Sequence, residues 1–130
     1  MEDCLFCKII KGEIPSKKIY EDDKVLVFLD INPNTNGHML MIPKTHYKDI
    51  KDIDMDTLTY MISKIKEVII PTIEEKLNCK GFSLSQNNGI VEEVKHFHIH
   101  IIPRYSDDDL KLVVNKEKLI DTESILEKLK

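Results

Sequence analysis

The run "KHFHIHIIPR", from Lys95 to Arg104, constrains this chain more than any other: His96, His98 and His100 alternate with Phe97, Ile99 and Ile101. Side chains of a β-strand point to opposite faces in turn, so a strand here buries Phe97, Ile99 and Ile101 and lines up three imidazoles on the other surface. A rise of roughly 3.3 Å per residue starts the outer two about 13 Å apart. One ion cannot take all three without distorting the strand, although two neighbours could share one. A solvated strand face that happens to be rich in histidine is the bland alternative. A functional row is favoured, because neutral imidazole is a nucleophile at pH 7 and a second imidazole can handle the proton of a leaving group. That pairing suits phosphoryl or nucleotidyl transfer. Arg104, directly after Pro103, reads as a surface charge, a strand-end salt bridge or a substrate contact.

A chain of 130 residues fits one core, and residues 1–130 are expected to form a single domain. The formal net charge of -4 comes without a Lys/Arg stripe, which argues against non-specific nucleic-acid binding, an affinity built on neutralised phosphates. The N-terminal "MEDCLFCKIIKGEIP" has early acids and no long apolar region, so neither a signal peptide nor a membrane span is expected, and the protein is expected to be cytoplasmic. Three cysteines, an odd count, fit reduced thiols better than a disulfide framework.

Along the chain, "CLFCKIIKGEIP" reads as a short helix stopping near Gly12 and Pro15. "KKIYEDDKVLVFLD" reads as two strands around the turn Glu21-Asp22-Asp23, and "HMLMIP" as a third strand ended by Pro43. From about Asp54 to Asn78, Leu58, Met61, Ile62, Ile65, Val68, Ile69 and Ile73 recur at helical spacing, with Pro71 expected to kink or end the helix. "GFSLSQ" and "HFHIHIIP" supply the last two strands, and a short amphipathic helix is expected after Asp121 and Thr122. This order predicts an α+β domain: a five-stranded antiparallel sheet, a long amphipathic helix and a short N-terminal helix.

The motif "HFHIHIIPR", together with "CLFCKIIKGEIPSKKIYEDDKVLVFLDINPNTNGHMLMIPKTHY" and "NNG", resembles the histidine triad (HIT) family of nucleotide hydrolases and transferases, over nearly the whole chain up to Tyr105. The resemblance is strongest to the small Hint-type and bacterial HIT proteins, and it implies the HIT fold and a homodimer. It implies that His98 is the nucleophile attacking the α-phosphorus of a purine nucleotide, with its Nδ1 proton held by the backbone carbonyl of His96. His100 matches the histidine that contacts phosphate and assists the leaving group, and His38 the fourth histidine of the family's site. Leu5, Phe6, Ile9, Phe28 and Ile31 match the nucleoside slot, Asp30 the ribose-binding acid and Asn87 a phosphate contact. Taken alone, the five apolar residues read as ordinary core, Asp30 as a turn or cap and "NNG" as a turn.

Cys4 and Cys7 form C-x-x-C, which reads alone as a buried thiol pair or a redox motif, although the βαβ setting of the redox version is absent. Zinc-bearing HIT proteins imply a structural Zn²⁺ on Cys4, Cys7, His46 and His96, a set suited to a tetrahedron. Cys79 has no candidate partner. One departure from the family is "IVEEVK", shorter than the donor-bearing loop of many members. If strand alternation extends back from His96, Glu92 shares the histidine face and lies near the phosphate path, with Glu93 beside it. The implied activity is hydrolysis of nucleoside 5′-phosphoramidates or related nucleotidyl compounds through a nucleotidyl-histidine. A dinucleoside polyphosphate hydrolase and a nucleotide-binding module with little turnover are the alternatives.

Overall fold

A computed structural model describes residues 3–130; Met1 and Glu2, where the single-domain reading and the N-terminal acids begin, lie outside the described residues. Helix α1 (Leu5–Ile10) is followed by strands β1 (Lys18–Glu21), β2 (Val25–Leu29) and β3 (Met39–Pro43). Helices α2 (Met55–Lys64) and α3 (Ile70–Leu77) then flank a π-helical turn over Ile65–Ile69, before β4 (Gly81–Ser85), β5 (Ile99–Arg104) and α4 (Thr122–Leu129). The five strands form one sheet in the order β1-β2-β3-β5-β4, and every neighbouring pair is antiparallel. This is the α+β arrangement the sequence predicts.

The turn between β1 and β2 is an Asx turn: the Asp22 carboxylate accepts the backbone N–H groups of Lys24 at 2.8 Å and Val25 at 2.9 Å. β2 and β3 are apolar at nearly every position because both faces of the sheet are covered. On one face Val25, Val27, Met39, Met41, Ile99 and Ile101 pack with Met61, Ile65, Ile69 and Ile73 of the long helical segment. On the other, Leu26, Phe28, Leu40 and Ile42 pack with Phe6 and Ile9 of α1. In register, Leu40 stands opposite His100 and Ser85 of β4 also stands opposite it, so His100 belongs to the face that α1 covers.

The helical segment begins at Asp54, whose carboxylate accepts the Thr57 N–H at 3.0 Å, and ends at Asn78 in the left-handed conformation with φ 54°. Pro71 does not end it. Pro71 has no N–H, and its ring crowds the carbonyl four residues back. The π turn immediately before it widens the helix, with the Ile70 N–H bonded to the Ile65 carbonyl, and the Thr72 hydroxyl donates to the Val68 carbonyl at 2.7 Å. The same turn rephases the buried residues. Met61 and Ile73 are twelve positions apart, and in a regular α-helix they would differ by about 120° in direction. The wider turn takes back part of that drift, so Met61, Ile65, Ile69 and Ile73 are all at most 2% exposed.

The strand read as "HFHIHIIP" is shorter than expected: ladder pairing begins at Ile99, and Glu93–His96 form bends. The alternation of faces still holds from His96 onward, with Phe97, Ile99 and Ile101 in the core beneath the long helical segment. Phe97 is 2% exposed and its N–H donates to the Tyr47 carbonyl at 2.7 Å, anchoring the segment before pairing starts. Arg104 lies at the far end of β5, where its guanidinium binds the Asp109 carboxylate, the Ser83 hydroxyl and the Leu110 carbonyl. It is a strand-end clamp and does not line the cavity described below. No helix among the described residues is long and apolar enough to cross a membrane.

Candidate active site and metal centre

On the side toward α1, His96 and His98, just before β5, and His100 within it follow in succession, and tertiary packing divides them between two clusters. Cys4, Cys7, His46 and His96 form the first; Asp30, His38 and His100 form the second. His98 stands between them. Its ring makes a T-shaped contact with Phe6, ring centroids 5.1 Å apart, and its centroid lies 5.1 Å from that of the His100 ring. His96 and His98 are 0% and 5% exposed, and His38 behind His100 is 2% exposed.

Hydrogen bonds to groups of fixed polarity settle which nitrogen of each ring carries the proton. The Asn34 backbone N–H donates to His38 Nδ1 at 3.0 Å, so the His38 proton is on Nε2. That Nε2–H donates to His100 Nδ1 at 2.9 Å, which puts the His100 proton on Nε2. His98 Nδ1–H donates to the His96 carbonyl at 2.8 Å, leaving the lone pair of its Nε2 free. His96 Nε2–H donates to the Pro43 carbonyl at 2.9 Å, leaving its Nδ1 lone pair toward the two cysteines. Burial favours the neutral forms of His96, His100 and His38. It pushes His96 and His100 down to about 4, with neighbouring imidazoles adding to the effect, and it lowers His38 against the opposing pull of Asp30.

The donor set of the first cluster fits zinc. Zinc bonds of about 2.3 Å to sulfur and 2.0 to 2.1 Å to nitrogen give S···N edges of about 3.6 Å in a tetrahedron. Here Cys4 Sγ lies 3.3 Å from His96 Nδ1, and Cys7 Sγ lies 3.3 Å from His46 Nδ1 and 3.6 Å from His96 Nδ1. The His96 Nε2–H···O=C bond is the outer contact that orients a metal-ligating imidazole. Burial and the neighbouring Cys4 push the Cys7 thiol up to about 11, so thiolate formation there calls for a cation.

His98 and His100 open on a cavity of about 460 Å³. Leu5, Phe6 and Ile9 of α1 line it, with Phe28, Asp30 and Ile31 from the end of β2 and Asn87 from the loop after β4. Every residue matched to the nucleoside slot therefore lies on this cavity, together with two of the three histidines matched to catalysis. His38 does not line it and touches it through His100. Ile31, 91% exposed, sits at the mouth. Asp30 Oδ1 accepts the Asn32 N–H at 2.8 Å, while Oδ2 lies 3.6 Å from His38 Nε2.

The sequence reading did not single out Ser16, Asn32, Asn34 and Ser85, which also line the cavity. Strand register could have found Ser85, which pairs with His100. The placement of Glu92 is corrected. Its side chain is 2% exposed, bonds to Lys95 at 3.3 Å and does not line the cavity; Glu93 does. Alternation fails to extend back from His96 because the chain bends at Glu93–His96 and is not a strand there.

The HIT domain family model matches residues 11–107, and the chain belongs to the HIT family. A HIT-like protein of Methanocaldococcus jannaschii is 43% identical over 129 residues, covering 98% of each chain. An Arabidopsis thaliana protein named adenylylsulfatase is 44% identical over 110 residues, 83% of this chain and 55% of its own length. The Saccharomyces cerevisiae protein named adenosine 5′-monophosphoramidase is 39% identical over 113 residues, covering 85% of this chain and 68% of its own. Among solved structures, a HIT family protein of Bacillus anthracis superposes with a TM-score of 0.81 at 37% identity, covering 98% and 95% of the two chains. A Zn-bound histidine triad family protein of Mycobacterium smegmatis gives 0.79 at 36% identity, covering 88% and 84%.

Proposed function

We propose that this protein is a nucleotide hydrolase that cleaves nucleoside 5′-phosphoramidates, or related nucleotidyl compounds, through a nucleotidyl-His98 intermediate. The observation that carries this reading is the pair of opposite tautomers on adjacent rings. His98 offers an Nε2 lone pair, while His100, on the same cavity, offers an Nε2–H. A nucleophile and a hydrogen-bond donor thus stand side by side, each oriented by a buried partner. The names of the Arabidopsis and yeast relatives agree with nucleotidyl chemistry of this kind.

In the first step His98 Nε2 forms a bond to the α-phosphorus and the phosphorus–amine bond breaks, its electron pair staying on the amine nitrogen. That nitrogen accepts a hydrogen bond from His100 Nε2–H and departs as the free amine with a proton drawn from solvent. The positive charge developing on the His98 ring is stabilised by the His96 carbonyl at Nδ1. Water then attacks the same phosphorus, the bond to His98 breaks with its pair returning to Nε2, and nucleoside monophosphate and a proton leave. Leu5, Phe6, Ile9, Phe28 and Ile31 hold the purine, Asp30 the ribose and Asn87 the phosphate.

Cys4, Cys7, His46 and His96 would hold a structural Zn²⁺, which when bound ties α1 to the segment that presents His98. The reading further comprises a single HIT domain over residues 1–130, a homodimer and a cytoplasmic location. Hydrolysis of adenosine 5′-phosphoramidate, with rapid-quench isolation of acid-labile nucleotidyl-protein, tests the central claim. Turnover without any labelled protein intermediate would overturn it.

A further inference from the structure

The cavity shared by His98 and His100 is lined by two carboxylates and by no lysine or arginine among the described residues. The carboxylates are those of Asp30 and Glu93. Lys95, the nearest lysine along the chain to His98, is paired with Glu92, which is not a lining residue. His100 adds no compensating charge, since burial and its neighbours hold its ring down at about 4. The carboxylates come from different elements. Asp30 lies at the end of β2 against His38, while Glu93 lies on the segment that leads directly into His98.

A bound nucleotide brings its own negative α-phosphate into this cavity. A departing group that carries further phosphates or a carboxylate meets only like charge, whereas one that carries an ammonium meets Glu93. A unit charge about 8 Å from a carboxylate in a water-open site changes affinity by about two- to six-fold before salt screening. Exchanging a cation for an anion doubles that difference in free energy, giving about four- to thirty-fold.

We infer that Glu93 makes this enzyme selective for nucleotidyl amidates whose leaving amine bears a second, positively charged group, and against anionic leaving groups such as a polyphosphate chain. The inference rests on the nucleotide hydrolase reading above and names the substrate class within it.

The test uses the full chain and adenosine 5′-phosphoramidates of 1,3-diaminopropane, propylamine and β-alanine, which share one scissile bond and differ in distal charge. At low ionic strength kcat/KM should fall in that order, with the first exceeding the last by about four- to thirty-fold, and salt should compress the series. Glu93→Gln should lower the diaminopropane amidate and raise the β-alanine amidate, with the propylamine amidate changing less than either. Cleavage of all three at equal efficiency, or a uniform effect of Glu93→Gln, overturns the inference while the hydrolase reading stands. Affinities of the same amidates for His98→Ala read the preference without turnover. Binding in the expected order by a wild-type protein that cleaves none of them keeps the charge preference and sinks the hydrolase reading.

Discussion

His38 Nε2 stands 2.9 Å from His100 Nδ1, and because the Asn34 N–H already occupies His38 Nδ1, the proton between the two rings belongs to His38. A second proton can reach His100 only by displacing that donor. Burial adds to this and holds His100 down at about 4, with His98 and His38 contributing. The His100 ring resonance should therefore titrate near 4 and not near the ordinary value of about 6.5. In His38→Ala the midpoint should rise, since one opposing neighbour is gone. A His100 midpoint near 6.5 in the wild-type protein would contradict the proton assignment.

The same group makes stability depend on pH. Between about 6.5 and 4 the unfolded chain protonates this histidine and the folded protein does not, so the unfolded state binds more protons and stability falls as pH falls. The loss is complete once the pH is below about 4. Replacing His100 with Gln should flatten the melting-temperature profile across this window, as measured by calorimetry on both proteins.

Asp22 acts in a more acid range. Its carboxylate accepts hydrogen bonds from Tyr60 at 2.6 Å and Tyr20 at 2.9 Å, besides the two backbone N–H groups of its turn. Burial would raise this carboxyl, but those four donors outweigh it and hold it at about 2. A depressed carboxyl stabilises the fold above its unfolded value of about 3.9, and that contribution disappears as pH falls from about 4 to about 2. Asp22→Asn should cost about 1 to 3 kcal/mol at neutral pH, read by urea unfolding, and its penalty should vanish in acid.

Zinc content offers a separate check on the first cluster. About one zinc per chain is expected in protein purified without chelator. A Cys4→Ser/Cys7→Ser double variant should lose the metal and melt at lower temperature, because binding at a structural site contributes to folding. Metal release should also steepen as pH falls, since protons compete for the Cys7 thiolate, whose free form is disfavoured by burial. Metal-free native protein with unchanged melting would show the cysteine pair to be incidental.

Gly37 tests the loop that delivers His38. It has φ +90°, and a Cβ there would lie 2.5 Å from Leu77 Cδ1 and 3.3 Å from Pro103 Cγ. Gly37→Ala should destabilise the protein by about 1 to 3 kcal/mol through backbone strain and overpacking, visible as a lower melting temperature. An unchanged melting temperature would mean that the loop relaxes freely.

The sequence by itself determined the architecture, because its signals are local and repeat often enough to exclude alternatives. Continuous apolar runs at Val25–Leu29 and Met39–Pro43 mark strands covered on both faces, Asp54 and Asn78 bracket one helical segment, and the alternation from His96 to Ile101 divides core from site. Only the tertiary structure decided the rest, because it depends on groups far apart in the chain. Pro71 is a breaker by local rules, yet the helix continues, since packing Met61, Ile65, Ile69 and Ile73 on one sheet rewards a π turn that also accommodates the proline. Periodicity could not choose between Glu92 and Glu93, because a bend before β5 resets the alternation. Nor could spacing assign the protons of His38 and His100, which are fixed by a backbone N–H at Asn34 and by contact between β5 and the loop before β3. A side chain's face is set by its own strand, but its proton is set by whatever the fold brings against it.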